Sequence, residues 1–423
     1  MMKRFIVVIL FLLSISSLLV LTIAYADDAD VLPKGVFRIN IDGRFSNNVD
    51  ERYNPDGDTE DVDIDYNTDL NSNIFSLLGL VEAGFGMIPG TASVGRSDVS
   101  FEYNFKVLEL TLAYGITDKL TVGLFIPYWW VKNSIDAELN TSTATVGKSA
   151  IGTGFGAPLV PLAGGGPFGD AVPLTTEDVQ DLLGKGLDVN GDGTIDTPGF
   201  GYKRFKTFSN NGVADIEAGF RYQYLKTDNW RLAFTGGVRI PTGEIDDIDM
   251  LQDYAIGTGA YALLFRLNND YIGIKNLLLN ATFRYDLYLP AKETLRVPDD
   301  VNRPITTDKE EVDRDIGDIF RLEASAKYSF PKGFSAFLTY WYEFKLKDDV
   351  SGNRGFNYQS LEDETDATEH VFLTGLSYST VPLFLEKKFP VPLTASVYYR
   401  NRFAGTNNVF KSQYIGFGLD VYF

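Results

Sequence analysis

An acidic loop at residues 188–196 has the residue types and spacing best suited to chemistry in this sequence. Oxygen ligands occur at loop positions 1, 3, 5, 7 and 9, supplied by Asp188, Asn190, Asp192, the carbonyl of Thr194, and Asp196. With glycine available for the sharp turn, this spacing fits a calcium loop of the EF-hand or dockerin type. Position 12, usually a bidentate acid, is Gly199, so we expect weak binding, typical of millimolar extracellular sites. The alternative is a plain acidic turn, and in either case the expected role is to order a loop.

The sequence offers little for catalysis. His370 is the only histidine and no serine lies next to it, although a serine hydrolase needs a base beside its nucleophile. There is no cysteine, so neither a disulfide framework nor a thiolate metal site is available. No spacing singles out a pair of catalytic acids. We therefore expect no enzymatic activity and no cofactor besides calcium, and a hydrolase is the least favoured alternative.

The elements that position such residues are β-strands, shown most fully by the hairpin at residues 108–130. Apolar residues alternate with small or polar ones on both sides of a tight turn at residues 117–119, which places the apolar side chains on one face. Each arm has the roughly 9–11 residues that a tilted strand needs to cross a bilayer. A soluble sandwich could show the same alternation. Tyr114, Tyr128 and Trp130 at the strand ends favour the aromatic girdle of a membrane barrel.

Both ends of the chain point to export. Lys3 and Arg4 precede an apolar run at residues 5–23 and the A-x-A pattern of residues 24–26, which predicts a signal peptide cleaved after Ala26. An uncleaved helical anchor is the alternative. The last strand, near residues 413–423, alternates to the terminal Phe423. It looks like the strand by which Gram-negative outer-membrane barrels are recognised for assembly, so outer-membrane lipid and the assembly machinery are the expected partners.

The whole of residues 27–423 is thus predicted to form one all-β domain, a transmembrane antiparallel up-and-down barrel in the outer membrane. We count about twelve strands, an even number with short turns alternating with long extracellular loops. Splitting residues 50–98 would give fourteen. The long loops are residues 47–97, with a helix predicted over 71–84 and capped by Ser72 or Asn73, and residues 133–211. The helix could plug the pore or rest on the rim.

Two strands carry irregular patterns. The apolar phase slips between Lys106 and Leu108, which predicts a β-bulge there. A further strand is predicted over residues 254–267.

About twelve strands should enclose a narrow lumen that loops can gate. The polar strand faces supply the candidate pore-lining residues Arg38, Arg44, Glu109, Glu217, Arg221, Arg231, Arg239, Arg284, Arg321, Glu323 and Arg400. Their basic excess would favour anionic solutes such as aromatic carboxylates. The alternative is that these charges pair across strands as a structural ladder, and both can hold. The chain has a net charge of −19, and its acidic residues lie mainly in the predicted loops. This acidic exterior argues against nucleic acid as a partner.

Between them, the hairpins at residues 112–128 and 212–243 carry a YG-T-D turn, a strand ending in a proline-aromatic pair, a G-x-x-D strand entry and a closing P-T-G. In these features the chain resembles the MetA-pathway of phenol degradation family of outer-membrane transporters. The resemblance implies uptake of small hydrophobic or aromatic compounds and supplies no functional residues to carry over. The alternative function is a structural or adhesive barrel that presents acidic, calcium-ordered loops.

Overall fold

The computed structural model describes residues 27–149, 159–162, 171–189, 192–298, 304–356 and 358–423. Twelve antiparallel strands close into a barrel: β1 Phe37–Ser46, β2 Ser93–Thr117, β3 Leu120–Asn140, β4 Ile216–Lys226, β5 Trp230–Ile240, β6 Ala262–Ile274, β7 Leu277–Tyr288, β8 Ile319–Ser329, β9 Phe334–Lys345, β10 Ala367–Ser379, β11 Leu393–Gly405 and β12 Gln413–Tyr422. None of the helices formed by the described residues has the length and apolar character needed to span a membrane.

Closure is made by β1, which pairs with β12 on one side and with β2 on the other. Short turns join β2 to β3, β4 to β5, β6 to β7 and β8 to β9 at the end where β1 begins and β12 ends. This end is periplasmic, and the long loops are extracellular. Phe37 and Phe423 exchange backbone hydrogen bonds of 3.1 and 2.9 Å across the seam. The predicted fold class is confirmed, with twelve strands.

The fourteen-strand alternative is wrong. Residues 50–98 add only short strands outside the wall, Glu51–Tyr53, Thr59–Asp61 and Asp69–Asn71, with a 3-10 turn at Ile64–Tyr66. Polar residues dominate this stretch, so it offers no apolar face to lipid.

The bulge predicted between Lys106 and Leu108 is also wrong. The pairing of β2 with β3 runs without a shift from Arg96 to Gly115. Odd-numbered residues of β2 face inward over this whole length. The outward residues change from apolar to polar at Lys106 because β2 leaves the bilayer there, and the inward residues become aromatic because an extracellular core begins.

The other described elements belong mostly to the extracellular loops. They are the strands Val146–Ser149, Val160–Pro161, Ala171–Val172, Gly186–Leu187, Thr197–Pro198, Phe208–Val213, Ala291–Arg296, Lys309–Asp315 and Asp349–Ser351, and the helices α1 Leu77–Phe85 and α2 Thr176–Leu183. At the periplasmic turns lie α3 Val381–Leu385 and a 3-10 turn at Pro331–Gly333, and a further 3-10 turn at Tyr358–Leu361 lies outside. The strand predicted over residues 254–267 instead begins at Ala262, since residues 254–259 carry two glycines and form a loop.

Helix α1 starts later than predicted, after Ser76, and Gly86 ends it in a left-handed conformation with φ of 63°. Ser72 and Asn73 do not cap it. The Ser72 hydroxyl donates instead to the buried Glu82 carboxylate at 2.9 Å. Leu78 and Val81 pack into an extracellular core with residues such as Leu174 and Leu182. The helix therefore belongs to the loop layer and does not enter the barrel.

Candidate transport lumen

The predicted pore-lining residues all lie on inward strand positions. Most are nearly inaccessible, and Arg239, Arg321 and Glu109 are each 1% exposed. The strand alternation put them there, because successive side chains point to opposite faces. Their placement is as expected, whereas their contact with a moving solute stays a prediction.

Many of these charges form a ladder across neighbouring strands. Arg44 lies 2.5 Å from Glu109. Arg239 lies 2.7 Å from Glu217 and 2.8 Å from Asp286, and the Tyr288 hydroxyl accepts from it at 2.6 Å. Buried ions of this kind persist because each has a partner. The structural-ladder alternative is therefore correct for these pairs.

Arg402 and Glu369 extend this ladder and were not among the predicted lumen residues. The Arg402 Nε donates to the Glu369 carboxylate at 2.6 Å. Glu369 also accepts from the Trp341 Nε1 at 3.0 Å. Arg402 stands on the same strand face as Arg400, and the alternation predicts this inward orientation, although Arg402 is not among the candidate pore-lining residues.

A segment preceding β1, residues 27–33, runs inside the lumen, and we name it the plug segment. It enters at the periplasmic rim, where the Leu32 amide donates to the Thr121 hydroxyl at 2.8 Å. Further in, the Ala29 amide donates to Asp270 at 3.1 Å, and the Gln223 side chain donates to the Ala29 carbonyl at 2.8 Å. Nothing in the sequence analysis placed this segment in the barrel.

Asp27, the first described residue of the plug segment, is held by its backbone and its carboxylate. Its carbonyl accepts from Asn268 at 2.7 Å and from Thr282 at 3.0 Å. Its carboxylate pairs with Arg221 and lies 3.4 Å from Arg266. The acids Asp27, Asp28 and Asp30, placed just before a barrel whose inner face is basic, were the signal that could have suggested this docking.

A cavity of about 760 Å³ lies beside the plug segment in the periplasmic half of the barrel. It is lined by plug residues Leu32 and Pro33 and by the inward residues Arg38, Arg221, Arg266 and Lys327. This volume is within the ~300–1,000 Å³ typical of small-molecule sites. The lumen thus has room for a small solute on the side that the plug segment occupies.

An aromatic layer lies on the extracellular side of these charges. It consists of inward residues of β2 with loop residues, namely Phe101, Tyr103, Phe105, Phe205, Tyr254 and Phe410. The rings are in close contact, with 5.1 Å between the ring centroids of Tyr103 and Phe410. From the extracellular to the periplasmic side, the interior of the barrel therefore contains an aromatic layer, a charged layer and the cavity.

His370 faces outward, away from the lumen. Its Nδ1 lies 2.8 Å from the Tyr340 hydroxyl, and its ring centroid is 4.8 Å from that of Tyr342. Such contacts place it in an aromatic girdle of the outer wall.

The predicted calcium loop is only partly described, since Asn190 lies outside the described residues. Asp188 accepts from the Gly193 amide at 2.8 Å, and Asp192 accepts from the Thr194 amide at 2.8 Å. Asp196 accepts from the Val189 amide at 2.9 Å. No group of three or more ligating side chains arranged for a metal occurs among the described residues, so calcium binding stays a prediction.

The closed barrel, apolar outside and charged within, has the architecture of an outer-membrane β-barrel protein. Its fold matches an outer membrane channel from Pseudomonas putida F1 with a TM-score of 0.51 at 12% identity, covering 94% of this chain and 99% of that one. A deletion mutant of the monoaromatic hydrocarbon channel TodX matches with a TM-score of 0.37 at 10% identity, covering 94% and 92%. This second likeness is too loose to bear on fold or function.

The chain belongs to the family described as "Putative MetA-pathway of phenol degradation", which matches residues 171–411, 241 of its 423 residues. No curated protein matches the sequence. The fold is that of an outer-membrane barrel of Gram-negative bacteria. The resemblance read from the two hairpins is confirmed.

Proposed function

We propose that this channel takes up small hydrophobic or aromatic compounds, including anionic ones, across the outer membrane. The observation that supports this most is the 760 Å³ cavity inside the barrel, which is lined by the plug segment and by the inward charges Arg38, Arg221, Arg266 and Lys327. The phenol-degradation description of the family supports aromatic solutes, and the inward arginines support anionic ones.

Flux into liposomes tests the proposal. The refolded mature chain is compared with a variant that lacks residues 27–33, using phenol, benzyl alcohol and benzoate as solutes. We expect slow flux through the full chain and faster flux through the variant, because the variant frees the periplasmic half of the lumen. Equal, background flux through both proteins, each with the heat-modifiable mobility of a folded barrel, would contradict the channel function.

The alternative function is a structural or adhesive barrel whose loops bind outside the cell. Two extracellular clusters favour it, since residues such as Leu78 and Leu182 in one, and Val297 and Val312 in the other, are fully buried. Loops with cores of their own can present a fixed surface. Background flux through both the full chain and the variant lacking residues 27–33 would favour this function over the channel.

The export steps are part of the same proposal. Cleavage after Ala26 would make Asp27 the first residue and leave the plug segment free to enter the barrel. Phe423, 69% exposed at the end of β12, is placed where the assembly machinery could bind it. Amino-terminal sequencing of the mature protein tests the cleavage site.

We further propose that calcium orders residues 188–196. The spacing of the acids supports this, and it requires them to turn from backbone amides to the ion. Calcium should slow proteolysis of this loop in the millimolar range, and a chelator should reverse the protection. Cleavage rates that calcium leaves unchanged would favour the plain acidic turn.

A further inference from the structure

Three arginines lie side by side on the inner wall. Arg266 pairs in register with Arg284, and Arg284 pairs with Arg321, on the adjacent strands β6, β7 and β8. Like charges directly opposite one another destabilise a sheet. A structural ladder would alternate signs, as the Arg44–Glu109 pair does, so this row calls for another explanation.

The outer two arginines have partners and the middle one does not. Arg266 lies 3.4 Å from Asp27 and 3.6 Å from Glu217, and Arg321 pairs with Glu343. Arg284 is 3% exposed. In the part of the chain that the structure describes, its Nη1 and Nη2 atoms have no hydrogen-bond partner, and it forms no ion pair within 4.0 Å. An unpaired buried charge is strongly destabilising, so an anion from outside the protein would relieve it.

Beside the arginine row, the inner wall turns apolar and aromatic. Phe337, Trp341, Val371, Leu373 and Tyr398 form a buried cluster on β9, β10 and β11. Trp341 is in register with Glu323, the inward neighbour of Arg321 on β8. The guanidinium carbons of Arg321 and Arg400 each lie 5.0 Å from the Trp341 ring centroid. A ring and a carboxylate carried by one small molecule would thus find matching groups here.

The plug segment already brings a carboxylate to this row. Asp27 reaches Arg266 at its edge, and its amide lies 3.2 Å from the Glu323 carboxylate. Asp27 therefore engages one edge of the arginine row with the same carboxylate chemistry that a solute anion would use.

We propose that Arg266, Arg284 and Arg321 form a carboxylate-binding subsite for aromatic acids, and that the solute competes with Asp27 for these arginines. The carboxylate binds Arg284, and the ring lies toward Trp341. Because the solute anion replaces the hold of Asp27 on Arg266, binding favours withdrawal of the plug segment. This inference rests on the proposed channel function and adds to it a substrate class and a trigger for opening.

The test compares benzoate with the neutral benzyl alcohol in liposome flux. Arg284→Gln should lower the benzoate to benzyl alcohol flux ratio about tenfold, because a hydrogen bond to a charged group contributes at least that factor. Arg96→Gln is the matched control. It removes one positive charge from an exposed extracellular site, 3.9 Å from Asp69, and should leave the ratio unchanged.

A second variant leaves the three arginines unchanged and removes the charge of Asp27, which competes with the solute for them. Asp27→Asn should raise benzoate flux at low benzoate concentration and increase the calorimetric affinity of the detergent-solubilised protein for benzoate. Arg284→Gln should abolish that binding while the heat-modifiable fold is kept. If Arg284→Gln does not fold, the Asp27→Asn result decides alone.

The two proposals fail in different ways. Absence of benzyl alcohol flux in every variant would overturn the channel function. Benzyl alcohol flux with an unchanged ratio in Arg284→Gln, or with unchanged benzoate affinity in Asp27→Asn, would overturn only the subsite.

Discussion

At the scale of single residues, the lumen is built from buried ion pairs whose members depend on each other. Arg239 illustrates this, because one guanidinium serves Glu217, Asp286 and the Tyr288 hydroxyl. A pair of this kind adds little net stability compared with apolar packing, but the loss of one member is costly since it leaves an unpaired buried charge.

Arg239→Met should therefore destabilise the barrel by about 3–5 kcal/mol. The measurement is the temperature at which the folded form shifts to unfolded mobility on a semi-denaturing gel. Lys292→Met is the control, because its pair with Glu311 spans 3.4 Å between side chains that are 65% and 64% exposed, and such pairs contribute roughly 0–1 kcal/mol. An equal shift of this transition temperature in both variants would show that the buried lumen pairs stabilise the barrel no more than exposed pairs do.

At the scale of elements, the plug segment docks against the wall through close backbone contacts. Just after the segment, the Gly35 amide donates to the Gly115 carbonyl at 2.8 Å. A Cβ on Gly115 would lie 2.1 Å from the Pro33 carbonyl oxygen and 2.7 Å from that of Leu32. Gly115 therefore has no side chain because the plug segment passes directly over it.

Gly115→Ala should displace the plug segment while the wall strands stay paired, and flux of benzyl alcohol should rise toward that of the variant lacking residues 27–33. In the control, Gly43→Ala, the nearest atom to the new Cβ is 4.0 Å away, so flux should be unchanged. A Gly115→Ala protein as closed as the parent would mean that the segment does not limit flux.

An extracellular strand layer depends on another buried acid. Arg314 bridges Glu293 at 2.7 Å and Asp348 at 3.0 Å, and Asp348 also accepts from the Gly317 amide at 2.9 Å. Burial alone would raise the pKa of Asp348, but Lys345 and Arg314 hold it below its ordinary value of 3.8. The ionised Asp348 carboxylate therefore stabilises this strand layer fully at pH values above 3.8. The stabilisation is lost as the pH falls further and Asp348 becomes protonated.

Hydrogen exchange at the strand Asp349–Ser351 measures this loss. After correction for the intrinsic rate, exchange should accelerate below about pH 4 in the parent. In Asp348→Asn it should already be fast at pH 7 and should change less with pH. A parent strand that stays protected at pH 2 would contradict this account.

At the scale of the whole molecule, the arrangement of turns and loops fixes how the barrel sits in the membrane. Short turns and α3 mark the periplasmic end, and the loop cores mark the outside. The cavity and the plug segment then lie in the periplasmic half of the barrel, and the aromatic layer lies on the extracellular side.

Because the natural chain has no cysteine, single cysteines can test this orientation. A membrane-impermeant maleimide should label Lys292→Cys on intact cells, and should label Lys388→Cys, beside α3, only after the outer membrane is permeabilised. Both side chains are well exposed, at 65% and 69%. The reverse labelling pattern would show that the barrel has the opposite orientation in the membrane.

The sequence by itself determined the barrel, the faces of its strands and the residues inside it. Alternation with a period of two is a local property, so Arg239 and Glu217 could be placed in the lumen without knowledge of their partners. The same local reasoning failed at Lys106, because an inverted pattern can reflect a change of surroundings as well as a bulge.

Only the tertiary structure decided which charges meet and what enters the barrel. Asp27 contacts Glu323, which lies 296 residues further along the chain. The plug segment has no periodic pattern of apolar residues that would predict its position inside the barrel. Whether an inward arginine is paired, as Arg239 is, or has no ion-pair partner among the described residues, as is true of Arg284, depends on the register of neighbouring strands and on the docked segment. These are long-range relations, and no short stretch of sequence contains them.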